Sequence, residues 1–91
     1  MAKLIITGRA AEIGPTYFSV LYDGKPPLYR KVFDVRNLND CKAAMAEACA
    51  AIAGQDVALS AHITDGRKPN GFDAWQSANR SGAFLVRKEA A

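Results

Sequence analysis

The chain has 91 residues, of which 49% are hydrophobic and 23% are charged, and its formal net charge is +3. This composition excludes a disordered protein, and the length predicts one domain, residues 1–91, because two halves would each be too small to bury a useful core. The mild positive charge falls below that of a dedicated duplex-DNA binder and decides little about the partner.

The first third of the chain predicts three β-strands. Residues 3–7 form a short apolar run that Gly8 closes, which is typical of a mostly buried strand. Residues 17–22 and 28–35 have the two-residue period of strands, with every second side chain on the same face. The turn-forming residues 23–27, Asp-Gly-Lys-Pro-Pro, lie between them. We therefore expect the second and third strands to form an antiparallel hairpin.

An amphipathic, alanine-rich helix is predicted next. Asn37 and Asp40 offer side chains that favour a helix start. Apolar residues then recur at steps of three and four, at Leu38, Cys41, Met45, Ala48 and Ile52. Seven alanines between residues 43 and 53 raise the helix propensity, and Gly54 supplies the stop. We expect the apolar stripe of this helix to cover one face of the sheet.

The last third completes the predicted fold. Residues 57–64 alternate as a fourth strand, with His62 on its polar face. Residues 72–78 fit a strand or a short helix, and the helix is favoured because Asp, Ala, Gln and Ser form strands poorly and Asn70 can cap a helix. Residues 83–87 form a final short strand. The predicted fold is α+β, an antiparallel, hairpin-based sheet covered by one alanine-rich helix, in the order β-β-β-α-β-(short α)-β.

The titratable side chains predict no catalytic or metal-binding set. Cys41 and Cys49 are eight positions apart on the predicted helix, which separates them by about 12 Å along its axis. We expect two buried free thiols, because a disulfide cannot span that separation. His62, the single histidine, has no nucleophile motif nearby and cannot complete a zinc site with these cysteines. We therefore expect no metal, no cofactor and no enzyme activity.

The apolar segments predict neither a membrane span nor a secretory leader. The longest uninterrupted apolar stretch is Ala48 to Ala53, far shorter than the roughly 20 residues that cross a bilayer. The first residues, MAKLIITGRAA, lack a long apolar region followed by a small-residue cleavage site. We expect a cytoplasmic protein.

The order of predicted elements is similar to the opening of the ribonuclease H-like fold, which would imply a metal-dependent nuclease. That family holds two divalent metals with carboxylates from the first strand, the first helix and the end of the fourth strand. Glu47 and Asp65 lie in the last two of these places, but residues 6–8, Ile-Thr-Gly, occupy the position of the first acid. A degenerate nuclease of this kind is one alternative function, and a homodimeric structural protein is another.

Two surfaces of the predicted fold are candidates for binding a macromolecule. The first is the outer face of the hairpin, where Tyr17, Leu21, Arg30 and Val32 would be exposed, with Lys31 beside them. Aromatic and cationic side chains on an open sheet can stack on bases and neutralise phosphates. The alternative is that a second subunit or the C-terminal segment covers this face.

The second candidate surface is the loop after the fourth strand. Arg67 and Lys68 lie on it, with Trp75 and Arg80 in or near the helix that follows. Free backbone N–H groups at the start of that helix would add to the two cations as an anion site. The alternative is a solvated turn, with Trp75 buried in the core.

A compact single domain with a strand hairpin, one alanine-rich helix and no catalytic set resembles the small phage-encoded inhibitors known as anti-CRISPR proteins. The resemblance implies a protein that blocks a CRISPR surveillance complex sterically or by mimicry, without a cofactor, and it implies no particular residue. We predict a non-enzymatic binding protein for a protein or nucleoprotein partner, RNA included, with a homodimer as a further option. The candidate contact residues are Arg30, Lys31, Arg67, Lys68, Trp75 and Arg80.

Overall fold

The structure, a computed structural model, describes residues 2–13, 18–20, 26–78, 85–86 and 88. Its elements along the chain are β1 (Ala2–Ile13), β2 (Phe18–Val20), β3 (Tyr29–Val35), α1 (Leu38–Ala51), β4 (Val57–Asp65), α2 (Phe72–Ala78) and β5 (Leu85–Val86). This is an α+β fold with the predicted order of elements. Residues 72–78, which fitted either a strand or a helix, are helical.

β1 is the strand on which the sheet is assembled. It pairs antiparallel with β3 over residues 2–8, with β4 over residues 3–10, and with β2 over residues 11–13. β5 extends the sheet by pairing with β4. The predicted hairpin of the second and third strands is therefore not the pairing observed, since within the described residues β2 and β3 each pair with β1 and not with each other.

The predicted end of the first strand at Gly8 is also wrong, because β1 continues to Ile13. Gly8 is buried inside the strand, and a Cβ atom there would lie 3.0 Å from Cγ1 of Val57 and 3.3 Å from Cβ of Tyr29. A glycine within a strand often marks such a close approach of its neighbours. Gly8 thus permits tight packing of the sheet and does not break the strand.

The core lies between the inner face of the sheet and α1. Its buried side chains come from the sheet at Ala2, Leu4, Ile6, Val35, Val57, Leu59 and Ala61, and from the helical side at Cys41, Ala44, Met45, Ala48, Ile52 and Phe72. The apolar stripe predicted for the helix is confirmed, and so is the buried face predicted for the fourth strand. No polar or charged side chain is buried in the described part of the chain.

Two hydrogen bonds from backbone N–H groups to side chains stabilise the start of α1. Asn37 is the N-cap, and its Oδ1 accepts from the backbone N–H of Asp40 at 2.9 Å. The Asp40 carboxylate accepts in turn from the backbone N–H of Arg36 at 2.8 Å. Such side-chain acceptors satisfy donors that a helix start leaves unpaired. The two bonds hold the short connection between β3 and α1 in one conformation.

α2 is attached to the sheet by one aromatic side chain and one amide. Phe72 is 1% exposed, and its ring meets that of Trp75 edge-on at 5.7 Å between centroids. Gln76 donates from Nε2 to the carbonyl oxygen of Ala61 in β4 at 2.6 Å. Neither helix in the described ranges has the length and apolarity that crossing a membrane requires.

Candidate anion-binding crevice

An open crevice of about 320 Å³ lies where the end of β3 meets the loop after β4. Its lining residues are Ala2, Val35, Arg36, Arg67, Lys68, Pro69 and Asn70. Three of these side chains are cationic, and none is acidic. We refer to this site as the cationic crevice.

Strand pairing builds one wall of the cationic crevice. Ala2 is paired with Val35 in the β1–β3 register, and both are buried. Arg36 follows directly, between the last residue of β3 and the N-cap of α1. Its backbone N–H is bound by Asp40, while its exposed guanidinium makes no ion pair among the described residues. This wall thus places the Arg36 guanidinium beside the apolar residues Ala2 and Val35.

The loop after β4 supplies the opposite wall. Gly66 and Gly71 bend it with φ angles of +85° and +83°, in the left-handed region that glycine adopts without strain. Arg67 is exposed, and no ion pair is seen for it within the described ranges. The loop therefore carries a second available guanidinium toward the crevice.

Lys68 is partly neutralised by a neighbour on α2. Its Nζ donates to Oδ1 of Asp73 at 3.0 Å, and the two side chains are 54% and 73% exposed. An ion pair this open to water contributes at most about 1 kcal/mol to stability. Lys68 can consequently exchange Asp73 for an external anion at little cost.

The start of α2 adds less to the site than expected. α2 has seven residues, and the backbone N–H of Phe72 donates to the carbonyl oxygen of Pro69 at 3.0 Å. That donor is already used within the loop. We therefore assign the positive character of the crevice to its side chains.

Arg30 and Lys31 do not line the cationic crevice. Arg30 and Lys31 are neighbours on β3 and so point to opposite faces of the sheet. Arg30 is six residues from Arg36, or about 20 Å along a strand. Lys31 donates to Oε2 of Glu47 at 2.7 Å, which raises the pKa of its amine, and it lies 5.1 Å from the centroid of the Phe33 ring. These two cations belong to a separate region of the surface.

The remaining predicted contacts are Trp75, Arg80 and the side chains of the outer sheet face. Trp75 is half-buried and packs against the core, so it is less buried than the alternative of a solvated turn with a core tryptophan predicts. Arg30 and Val32 are exposed on the outer face. Tyr17, Leu21 and Arg80 lie outside the described residues. A contact role for any of these side chains stays a prediction.

Arg36 is the crevice residue that sequence reasoning missed. It carries no local signal, because a lone arginine between a strand and a helix cap looks like an ordinary surface residue. Only the sheet topology reveals the role of Arg36, because β3 and β4 pair with β1 on its two sides. This arrangement places the end of β3 and the loop after β4 at the same end of the sheet.

The two acids considered for a nuclease lie near different lysines. Glu47 accepts a hydrogen bond from Lys31, and Asp65 is paired with Lys3 in the β1–β4 register. The pKa of Lys3 is raised, first by its hydrogen bond with Asp34 and in small part by the charge of Asp65. Within the described ranges, no three His, Cys, Asp or Glu side chains come together as a metal site needs.

No family model, curated protein or solved structure matches the chain. The function is therefore inferred from the chemistry of the crevice. Guanidinium groups donate paired N–H bonds that fit the oxygens of phosphate and carboxylate groups. None of the described residues that line the crevice is a Cys, His, Asp or Glu, the usual proton acceptors of acid–base catalysis. The arrangement is suited to holding an anion.

Proposed function

We propose that the chain is a non-enzymatic binding protein whose cationic crevice contacts phosphate groups of the nucleic acid in a nucleoprotein partner. The observation that carries this proposal is the convergence of Arg36, Arg67 and Lys68 on one crevice without a lining acid. Contacts to phosphates supply much of the affinity of proteins for nucleic acids and are independent of base sequence. The protein would act in the cytoplasm and would need no cofactor.

The resemblance in size and style to anti-CRISPR proteins names the first partner to test. A CRISPR surveillance complex presents guide RNA bound to protein subunits, so it offers phosphates for the crevice. We propose that the chain binds such a complex and blocks it sterically. Affinity capture from a lysate of CRISPR-bearing bacteria tests the partner, and recovery of neither nucleic acid nor a stoichiometric protein would contradict this form of the proposal.

A direct test measures the crevice on a defined probe. Fluorescence anisotropy of a short labelled single-stranded RNA gives the affinity of the purified chain as a function of salt. Replacing two crevice arginines in one variant, Arg36→Glu with Arg67→Glu, is expected to weaken binding and flatten its salt dependence. Each lost phosphate contact lowers the slope of log affinity against log salt by about 0.7, so two lower it by about 1.4. A glutamate at position 36 also lies near the positive end of α1, where it is tolerated.

The matched control reverses two charges outside the crevice. Lys42 and Lys88 are exposed and do not line it, so Lys42→Glu with Lys88→Glu changes the net charge equally. This control is expected to retain most of the wild-type affinity. Equal loss in both variants would mean that only net charge matters, and absence of RNA binding by the wild-type chain would remove nucleic acid as the ligand.

A further inference from the structure

β3 forms an edge of the described sheet. Among the described residues it pairs with β1 alone, so half of its backbone N–H and C=O groups face away from the sheet. Natural sheet edges are usually protected by prolines, bulges or very short strands. β3 spans seven residues without a proline, and its register with β1 has no shift. The backbone of this edge is thus a regular template for another strand. Its charged side chains, Arg30, Lys31 and Asp34, disfavour strands that do not match them in charge.

Exposed apolar side chains are found at the same edge. Leu28 is 51% exposed and Val32 is 46% exposed, and they are the large hydrophobic residues exposed in the described part of the chain. Leu28 directly precedes β3, and Val32 is the central residue of the strand. Pairing of this edge with another strand would remove apolar surface from water.

We propose that two copies of the chain join their sheets by pairing β3 antiparallel with itself, about a two-fold axis at Val32. A two-fold axis perpendicular to a sheet places one residue opposite its own copy and makes every other contact twice. With Val32 at the axis, Arg30 of each copy lies opposite Asp34 of the other. The interface thereby gains two pairs of opposite charge on the outer face, and directly opposite charges of this kind stabilise a strand pair.

The remaining positions of this register are also compatible. On the inner face, Lys31 of one copy lies opposite Phe33 of the other, and Tyr29 lies opposite Val35. Within one chain, the amine of Lys31 already lies 5.1 Å from the Phe33 ring centroid, so a second ring opposite it extends a cation–π contact.

Two-fold registers centred on the charged residues of β3 or on Phe33 are unfavourable. An axis at Arg30, Lys31 or Asp34 would place that charged residue opposite its own copy. An axis at Phe33 would place Arg30 opposite Arg36. Like charges directly opposite each other destabilise a strand pair. Axes at Tyr29 or Val35 would pair only one end of the strand. Among registers that pair its middle, the charge pattern therefore selects the one centred on Val32.

Arg30 and Asp34 are exposed, and α1 leaves space beside the β3 edge for a second copy. No ion pair of Arg30 is seen in the described part of the chain, and Asp34 is hydrogen-bonded to Lys3 with its side chain 55% exposed. In the dimer, Asp34 would lie between Lys3 of its own chain and Arg30 of the other.

Beside the edge, an open groove of about 350 Å³ is lined by Phe33 and Asp34 of β3 and by Ala43, Ala44 and Glu47 of α1, among others. The small alanines leave room for a second copy.

Single charge reversals and their mixture test this register. Sedimentation velocity over a micromolar concentration series is expected to show a wild-type dimer. Arg30→Asp and Asp34→Arg each create two like-charge contacts in their own homodimer, and each is expected to weaken dimerisation by about 10-fold or more. An equimolar mixture of the two variants regains both opposite-charge pairs, so the dimer is expected to return as a heterodimer.

The controls separate this interface from the cationic crevice and from misfolding. Arg67→Asp makes an equal charge reversal away from the β3 edge and is expected to leave the dimer constant unchanged. Circular dichroism checks that both single variants keep the wild-type fold. A monomeric wild-type chain, wild-type dimerisation by either single variant, or a mixture of folded variants that stays monomeric would each overturn the proposal. RNA binding by the crevice is measured separately and does not depend on these outcomes.

Discussion

Replacing Gly8 with alanine is expected to destabilise the protein, although alanine usually stabilises a strand relative to glycine. The added Cβ would lie 3.0 Å from Cγ1 of Val57, 3.1 Å from Cδ2 of Leu59 and 3.3 Å from Cβ of Tyr29. Carbon atoms in favourable contact are about 3.5–4.0 Å apart. All three approaches are too short, so neighbouring side chains must move to accept one methyl group.

Two opposing terms decide the size of the effect. Removing a glycine lowers the entropy of the unfolded chain and stabilises the fold by roughly 0.4–1 kcal/mol. Overpacking a core site costs about 1–3 kcal/mol. Val57 is fully buried, and the contact atom of Tyr29 is next to its backbone, so neither yields easily. We expect a net loss of about 1–2 kcal/mol in the free energy of unfolding.

Urea denaturation of four proteins measures this effect and its cause. The set is the wild-type chain, Gly8→Ala, Val57→Ala and the double variant. Val57→Ala removes the atom closest to the new methyl group, so the cost of Gly8→Ala is expected to fall by about 1 kcal/mol in that background. Thermal melting gives a second readout, at roughly 4–8 °C per kcal/mol for a domain of this size.

Two outcomes would refute the steric reasoning. An unchanged or higher stability of Gly8→Ala would show that the sheet accepts a methyl group at this position. Strict additivity of Gly8→Ala and Val57→Ala in the double variant would show that the Val57 side chain does not clash with the added methyl group.

Two further predictions concern groups with an unusual environment. The hydroxyl oxygen of Tyr29 is buried and has no hydrogen-bond partner among the residues that the structure describes. Tyr29→Phe is therefore expected to leave the free energy of unfolding unchanged or to raise it by about 1 kcal/mol, and a marked loss on urea denaturation would mean that the hydroxyl has a partner. Burial raises the thiol pKa of Cys41 and Cys49 above the ordinary value of 9.0. The two thiols therefore ionise at a lower pH in the unfolded chain than in the folded one. The free energy of unfolding is expected to fall as the pH rises from 9.0 through the raised thiol pKa of the folded protein. The fall is expected to be smaller in Cys41→Ala with Cys49→Ala, and an identical pH profile in that variant would contradict the assignment to the thiols.

Local periodicity was enough to predict the faces of β4 and α1. Val57, Leu59 and Ala61 alternate along a strand, and Cys41 and Met45 recur at a helical step, so their burial follows from the sequence spacing. The start of α1 at Asn37 was also predictable, because a side-chain acceptor at that position satisfies donors within the next turn.

Strand pairing was not predictable in the same way. The turn residues 23–27 favoured a hairpin of β2 with β3, whereas both strands pair with β1. The choice depends on contacts between residues far apart in the chain, such as Leu4 with Phe33 and Ile63. Arg36 was missed for the same reason, since its place in the crevice depends on the ends of β3 and β4 flanking the start of β1.

The central position of β1 also determines when the sheet can be completed during synthesis. β1 precedes β2, β3 and β4 in the chain, and all three pair with it. The apolar residues Leu4, Ile5 and Ile6 leave the ribosome long before β4, which ends at Asp65. Pairings between distant segments form slowly, and an apolar strand that lacks its partners is prone to aggregate. The side of β1 that pairs with β4 therefore stays without its partner strand until residues 57–65 have been synthesised.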